Sequence, residues 1–192
     1  LLNACLATCN WHDYDTLVER VRGEITKGNQ QVRALSAFGA LSLPLSHEEL
    51  AKVATTRATR LLTSVEGRHP QPVVNAPRTP SKVRVGFLSS DFRDHPVGHL
   101  VSALFTAHTS ERIETYVYST GENDQSRYRR RVEKGADRFV DLRAEKLLSA
   151  GEAAARIAAD GIDILVDLGG FVLGARPDIL ALRPASLLVS WL

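Results

Sequence analysis

The sequence predicts an α/β protein: a Rossmann-like, doubly wound parallel sheet preceded by a helical region. Three observations carry that expectation. From Lys82 onward, short runs rich in Val, Ile, Phe and Tyr alternate with helical stretches. Five strands separated by helices require crossover connections, so the strands run parallel and the sheet is covered on both faces. Before Glu66 the apolar spacing is helical. Between the two, Gly67 to Ser81 holds Pro70, Pro72, Pro77 and Pro80, half of the chain's eight prolines; that density disfavours helix and suits an extended surface strap at a domain boundary. The expected division is 1–66 helical, 67–81 connector and 82–192 α/β lobe.

In the helical region, Asp13 or Asp15 is expected to cap a segment with Leu17, Val18, Val21 and Ile25 at helical spacing, closed by Gly28-Asn29. Gly39 to Pro44 reads as a connection. Ser46-His47-Glu48-Glu49 is a capping box opening a helix through Leu50, Val53, Ala54 and Leu61. In the lobe, Val83 to Leu88 is the first strand, and His99 to about Thr109 a helix with Leu100, Leu104 and Ala107 on one side. Thr115 to Tyr118 is the second strand, then a basic helix from Gln125 to Lys134. Arg138 to Asp141 is the third strand, then an alanine-rich helix from Ser149 to Ala159 ended by Gly161. Ile162 to Asp167 is the fourth strand, Asp178 to Leu182 a short helix, and Leu187 to Trp191 the fifth strand.

Lys and Arg number 24 against 22 Asp and Glu, a net charge of +2 over 192 residues. That balance argues against a nucleic-acid partner, which would call for a basic excess on one face or tail. Hydrophobic residues at 44% and charged residues at 24% fit a globular chain and exclude a wholly disordered one. No apolar run approaches the ~20 residues of a membrane span. Leu1-Leu2-Asn3-Ala4-Cys5 has neither the basic start nor the apolar stretch of a secretory signal. No membrane partner is expected, and the protein reads as cytoplasmic. Cys5 and Cys9, four apart on one helix face, read as buried, reduced packing residues rather than a zinc site. The absence of Met and the apolar run Ser186 to Leu192 at the end read as a piece of a longer polypeptide.

In a sheet of order 3-2-1-4-5, the loops after the first and fourth strands diverge to opposite faces and leave a ligand crevice. Those loops are Ser89 to Gly98 and Asp167 to Gly174. The first carries Asp91, Asp94, His95, Pro96 and His99 directly after a buried strand. Pro96 fits the first helical position, which places His95 at the cap and His99 inside the first turn, so the pair does not read as a metal site. Asp91 and Asp94 are either cap and turn residues or site residues. His95 is either a partly exposed cap or an imidazole working near neutral pH. The second loop begins with Asp167 and contains Gly169, Gly170 and Gly174. It is either a tight turn or a place where backbone approaches a ligand. There is no Gly-x-Gly-x-x-Gly, no P-loop and no Gly-x-Ser-x-Gly elbow. Arg127-Tyr128-Arg129-Arg130-Arg131 reads as a solvated helix face.

Three blocks then carry a resemblance: Val83-Arg84-Val85-Gly86-Phe87-Leu88-Ser89-Ser90-Asp91-Phe92-Arg93-Asp94-His95-Pro96, Asp160 to Gly170, and Ala181-Leu182-Arg183-Pro184-Ala185 with Trp191-Leu192. In order and spacing they resemble the O-GlcNAc transferase family of protein glycosyltransferases (family 41), with its SPINDLY-type relatives. Cys9 to Asp15 and Leu43 to His47 resemble the segment joining that family's tetratricopeptide (TPR) repeats to its catalytic region.

The resemblance implies the amino-terminal lobe of a GT-B enzyme that transfers a sugar, from UDP-GlcNAc, to Ser or Thr of a protein acceptor with inversion. The nucleotide sugar would be held by a second, carboxy-terminal lobe, without a metal or other cofactor. It implies catalytic roles for His95 and Asp167, and substrate contacts for Asp91, Pro96, Gly169 and Gly170. Phe171 stands where the family often has His or Tyr, and Ser186 where Pro is common. Two rivals remain at this stage: a non-catalytic protein-binding module on an α/β scaffold, and a sugar-phosphate or nucleotide enzyme complete in this chain.

Overall fold

The computed structural model describes residues 2–28, 36–67, 82–107, 111–147, 149–170 and 172–191. The proline-rich connector beyond Gly67, together with Leu1, Asn29, Thr109, Phe171 and Leu192, lies outside the described residues. The chain forms two compact units, Leu1–Ser64 and Val65–Leu192.

The first unit holds α1 (Leu2–Thr8), α2 (Tyr14–Thr26), α3 (Ala37–Ala40) and most of α4 (His47–Val65). Asp13 occupies the N-cap of α2, but its side chain makes no cap hydrogen bond. The capping box of α4 is formed in both directions: Glu49 N–H donates to Ser46 Oγ at 3.2 Å, and Ser46 N–H to Glu49 Oε2 at 2.6 Å. The small core gathers Ile25, Ala40 and Val53, with Val21, Leu45 and Leu50 against it. Two expectations are corrected here. Gly39-Ala40 belong to a short helix, because Ser36 Oγ accepts from Gly39 N–H at 2.8 Å and starts a turn. Cys9 is exposed in a turn at φ +51°, past the end of α1, so the two cysteines share no helix face; both are free.

The second unit is an α/β lobe. Its strands are β1 (Val83–Ser89), β2 (Ile113–Ser119), β3 (Arg138–Asp141), β4 (Ile164–Asp167) and β5 (Leu187–Ser190). Between them come α5 (Pro96–Ala107), α6 (Arg127–Gly135), α7 (Ala150–Ala159) and α8 (Pro177–Ala181). All pairings are parallel, in the order β3-β2-β1-β4-β5. One face is closed by a core of Leu88, Tyr118, Leu142, Ala153, Ala154, Ile157 and Leu165, the other by Phe87, Phe92, Val101, Phe105, Val117 and Val132.

Helix α7 shows how local signals and packing agree. Ser149 and Glu152 form a reciprocal capping box, and Gly161 leaves the helix at φ +64°. The alanines at 153, 154 and 158 keep the inward face thin enough to lie close on the sheet.

Helix α5 turns a different face inward from the one its spacing suggested. Val101 and Phe105 are buried, whereas Leu100, Leu104 and Ala107 are exposed. The apolar content of α5 is high on all sides, so spacing alone could not choose between two adjacent faces. The basic run is also corrected. Arg127, Arg130 and Arg131 are exposed, but Arg129 is 1% exposed and is the largest fully buried side chain among the described residues. Its Nε meets Glu133 at 2.6 Å, Nη1 donates to Ser119 Oγ at 2.7 Å, and Nη2 meets Asp141 at 2.6 Å, with the guanidinium 4.4 Å above the Phe139 ring.

Arg129 therefore ties α6 to the carboxyl ends of β2 and β3. Removing it leaves buried Ser119 without its donor and the half-buried Glu133 and Asp141 carboxylates without their cation, a loss of about 3 kcal/mol. Arg129→Ala is expected to lower unfolding stability by that amount in urea denaturation, whereas Arg130→Ala stays within about 0.5 kcal/mol of the parent.

Candidate active site at the switch point

Strands β1 and β4 are neighbours, with Leu88 opposite Asp167, so the loops that follow them leave the same carboxyl edge of the sheet ~5 Å apart in the pairing direction. The first loop is anchored from below: Phe92 is fully buried and packs edge-on against Phe105 of α5. The backbone then turns tightly twice, Arg93 N–H donating to Asp91 O and His95 N–H to Arg93 O, each at 2.8 Å. Gly98 in the first turn of α5 presses on this turn; a Cβ there would lie 2.1 Å from Arg93 O, so only glycine fits.

Asp91 is 2% exposed and spends its carboxylate inside the loop. Oδ1 accepts from Arg93 Nε and Nη2 at 3.1 and 3.0 Å, and Oδ2 from Ser90 Oγ at 3.1 Å. Pro96 is the exposed first residue of α5, as the cap pattern predicted. His95 stands before it, half-buried. Its Nδ1 accepts from Val97 N–H at 3.3 Å and lies 3.9 Å from Asp91 Oδ2. In the neutral ring that assignment puts the proton on Nε2. His99 is engaged elsewhere, its Nε2 at 2.7 Å from Asp94 Oδ1 and its ring 4.0 Å from that of Tyr128. The two imidazoles do not share a ligand. Among the described residues no group of three or more His, Cys, Asp or Glu is arranged to hold a metal.

The second loop is built around Asp167, 6% exposed. Oδ1 accepts from Gly169 N–H and Oδ2 from Gly170 N–H, both at 3.0 Å. Burial pushes this carboxyl above its ordinary value, while the two N–H groups draw it back. Gly170 sits at φ +49° and Gly174 at φ +90°, the latter with its Cα side against Ser90 Oγ, where a Cβ would come within 3.1 Å. The two loops thus touch. Val172 and Leu173 project from the turn, Leu173 fully exposed. Asp167 shapes its own loop, and what it retains for a ligand is the remaining lone pairs of a carboxylate.

A third loop, between β2 and α6, was not anticipated from sequence. Thr120 N–H donates to Ser89 O at 3.0 Å, and Gly121 lies against Ser90 so closely that a Cβ would meet its carbonyl oxygen at 1.9 Å. Asp124 Oδ2 accepts from Asp94 N–H at 2.7 Å, and its Oδ1 from Ser126 N–H at 3.0 Å. The run Asn123-Asp124-Gln125-Ser126 reads locally as turn and helix cap, and nothing in it signals a partner thirty residues away. Burial works to raise the Asp124 carboxyl, but the Asp94 and Ser126 donors outweigh it and hold it below the ordinary value.

A depressed folded-state pKa contributes stability that is present above the unfolded value and lost as pH falls through the folded one. The Asp124 side-chain carboxyl carbon should therefore titrate with a midpoint below the ordinary aspartate value of 3.8, read by carbon-detected NMR. A midpoint at or above it would show that the contact is not made.

Comparisons with known proteins bear on this geometry. The family model described as Glycosyl transferase family 41 matches residues 8–192. The UDP-N-acetylglucosamine–peptide N-acetylglucosaminyltransferase of Caenorhabditis elegans is 33% identical over 197 residues, covering 96% of this chain and 16% of that protein. The probable enzyme of the same description named SEC, from Arabidopsis thaliana, is 37% identical over 111 residues, covering 58% of this chain and 11% of that protein. Among solved structures, a mutant of Thermobaculum terrenum O-GlcNAc transferase superposes with a TM-score of 0.58 at 26% identity, covering 95% of this chain and 41% of that one. The chain thus spans a small part of the length of these curated relatives.

Proposed function

Since the chain belongs to glycosyl transferase family 41, we propose that it is the helical linker and acceptor-side lobe of a two-lobed protein O-glycosyltransferase, which moves GlcNAc from UDP-GlcNAc to a Ser or Thr hydroxyl with inversion. The relatives named as peptide N-acetylglucosaminyltransferases support the donor and acceptor classes. On this reading the helical unit follows TPR repeats and the protein works in the cytoplasm. Among the described residues no helix is long and apolar enough to cross a membrane.

The observation that carries the reading is His95, held at the carboxyl edge of the central strand with Nδ1 committed to Val97 N–H. An imidazole held in this way presents Nε2–H, a donor. In the proposed reaction it orients the acceptor hydroxyl or a sugar oxygen; proton abstraction is the lesser role, because Nε2 is not a free lone pair in the neutral ring. Asp91 backs the ring and stands near Nδ1 to meet the charge whenever the ring is doubly protonated. Asp167 and the N–H groups of Gly169 and Gly170 set the second wall of the crevice. The negative charge that develops on the leaving diphosphate would be met by basic side chains and helix N-termini of the second lobe, without a metal.

Two measurements test this. In a protein carrying both lobes, His95→Ala is expected to lower turnover at least ~10²-fold while donor affinity is nearly unchanged, since a donor acting on acceptor and transition state affects rate more than ground-state binding. An unaffected rate would remove His95 from the reaction. The 192-residue chain alone should bind UDP-GlcNAc weakly or not at all in calorimetry; micromolar affinity would mean that the donor site lies in this lobe.

A further inference from the structure

Within the first loop, the backbone N–H groups of Asp91, Arg93 and His95 bond to Ser89 Oγ, Asp91 O and Arg93 O, all on the same strand and loop. The N–H of Asp94, the residue before His95, goes instead to a side chain of a different loop, Asp124 Oδ2 at 2.7 Å. That carboxylate is itself fixed, because its other oxygen takes Ser126 N–H, and Ser126 caps α6 by accepting from Arg129 N–H at 3.1 Å. Arg129 in turn is locked to the ends of β2 and β3. An unbroken series of bonds therefore runs from the sheet edge through α6 and Asp124 to the Arg93–Asp94 peptide, whose carbonyl in turn accepts His95 N–H at 2.8 Å. The Asp94 side chain is held as well, against His99.

We propose that Asp124 is a positioning residue for His95: its bond to Asp94 N–H fixes the Arg93–Asp94 peptide, whose carbonyl accepts His95 N–H, and so keeps His95 where Nδ1 meets Val97 N–H and Nε2 carries the proton. A neutral imidazole without that constraint chooses its tautomer by solvent. A ring displaced by about 1 Å can lose up to ~10²-fold in rate. The inference rests on the reading of His95 given above, but its first test does not depend on activity.

The imidazole nitrogens of His95 are read by long-range proton–nitrogen NMR in the 192-residue chain, as parent, Asp124→Ala and Asp124→Asn. The parent should show Nδ1 unprotonated and Nε2 protonated. Asp124→Ala should give a mixture of tautomers, and Asp124→Asn, which keeps one accepting oxygen where the carboxylate has two, should move the spectrum part of the way back to the parent. In the two-lobed protein, Asp124→Ala should lower kcat ~10-fold or more with the KM for UDP-GlcNAc unchanged, and Asp124→Asn should recover part of it. An unchanged His95 spectrum in Asp124→Ala overturns the proposal, as does failure of Asp124→Asn to differ from Asp124→Ala. Loss of the folded state in Asp124→Ala, seen by circular dichroism, also overturns it, since the residue would then serve the fold and not His95. If His95→Ala leaves turnover intact while the spectra behave as expected, the functional reading fails and the positioning stands.

Discussion

Strand β1 is hydrogen-bonded along both edges, to β2 over seven residue pairs and to β4 over four, and everything at the crevice depends on that placement. A central parallel strand has no free backbone groups to lend to solvent and no free face, so its side chains must suit two cores at once. Leu88 enters one core and Phe87 the other. At Gly86 there is no side chain because Tyr118, Ile162 and Leu165 already fill the space, within 3.1 to 3.2 Å of where a Cβ would stand. A strand fixed this firmly delivers its carboxyl end to one place, and the loop carrying His95 begins from a rigid support.

The second constraint is electrostatic. Arg129 is buried with all three of its donor nitrogens engaged, against Glu133, Ser119 and Asp141. A buried ion pair is weak evidence for stability by itself, because desolvation offsets most of the attraction. Its effect here is geometric: a planar guanidinium with fixed donor directions holds two strand ends and a helix at set spacing. The loop between β2 and α6, which rises from those ends, inherits that order and passes it to the loop of His95 through Gly121, Asp124 and Thr120.

Much of this was legible in the sequence because the decisive signals were local. The strands, the start of α7 near Ser149, the box at Ser46 and the placing of Pro96 at the first helical position follow from patterns within a few residues, and the strand order is the usual one for the fold class those patterns imply. The site residues His95 and Asp167 were marked by their position after strands that topology makes neighbours, and β1 and β4 are indeed paired. What could not be read was set by contacts distant in sequence. Arg129 looks like its exposed neighbours until Ser119 and Asp141 are brought beside it. Asp124 is an ordinary turn residue until Asp94 arrives. The inward face of α5 was misjudged because Leu100 and Leu104 are as apolar as Val101 and Phe105, and the choice appears only where Val101 and Phe105 meet Phe87, Phe92 and Val117.

The charge distribution around the crevice also has a direction. Arg93 is bound to the carboxylate of Asp91 and Arg176 to that of Asp178. Cations committed in this way carry little net field toward the crevice, whose nearest buried groups are the carboxylates of Asp91 and Asp167. Asp91 is met by Arg93, whereas Asp167 is met by the uncharged N–H groups of Gly169 and Gly170, and a wall that carries this second carboxylate suits a neutral hydroxyl, a peptide backbone or the uncharged face of a sugar better than a diphosphate. An enzyme that must stabilise two developing charges on a leaving group needs a positive surface opposite this one. The acceptor-side role proposed for the lobe is in keeping with that wall as well as with the placing of His95. The same argument accounts for the carboxylates being held by backbone donors and a single arginine: pinned within their loops, they shape the wall without reaching across to compete for the acceptor.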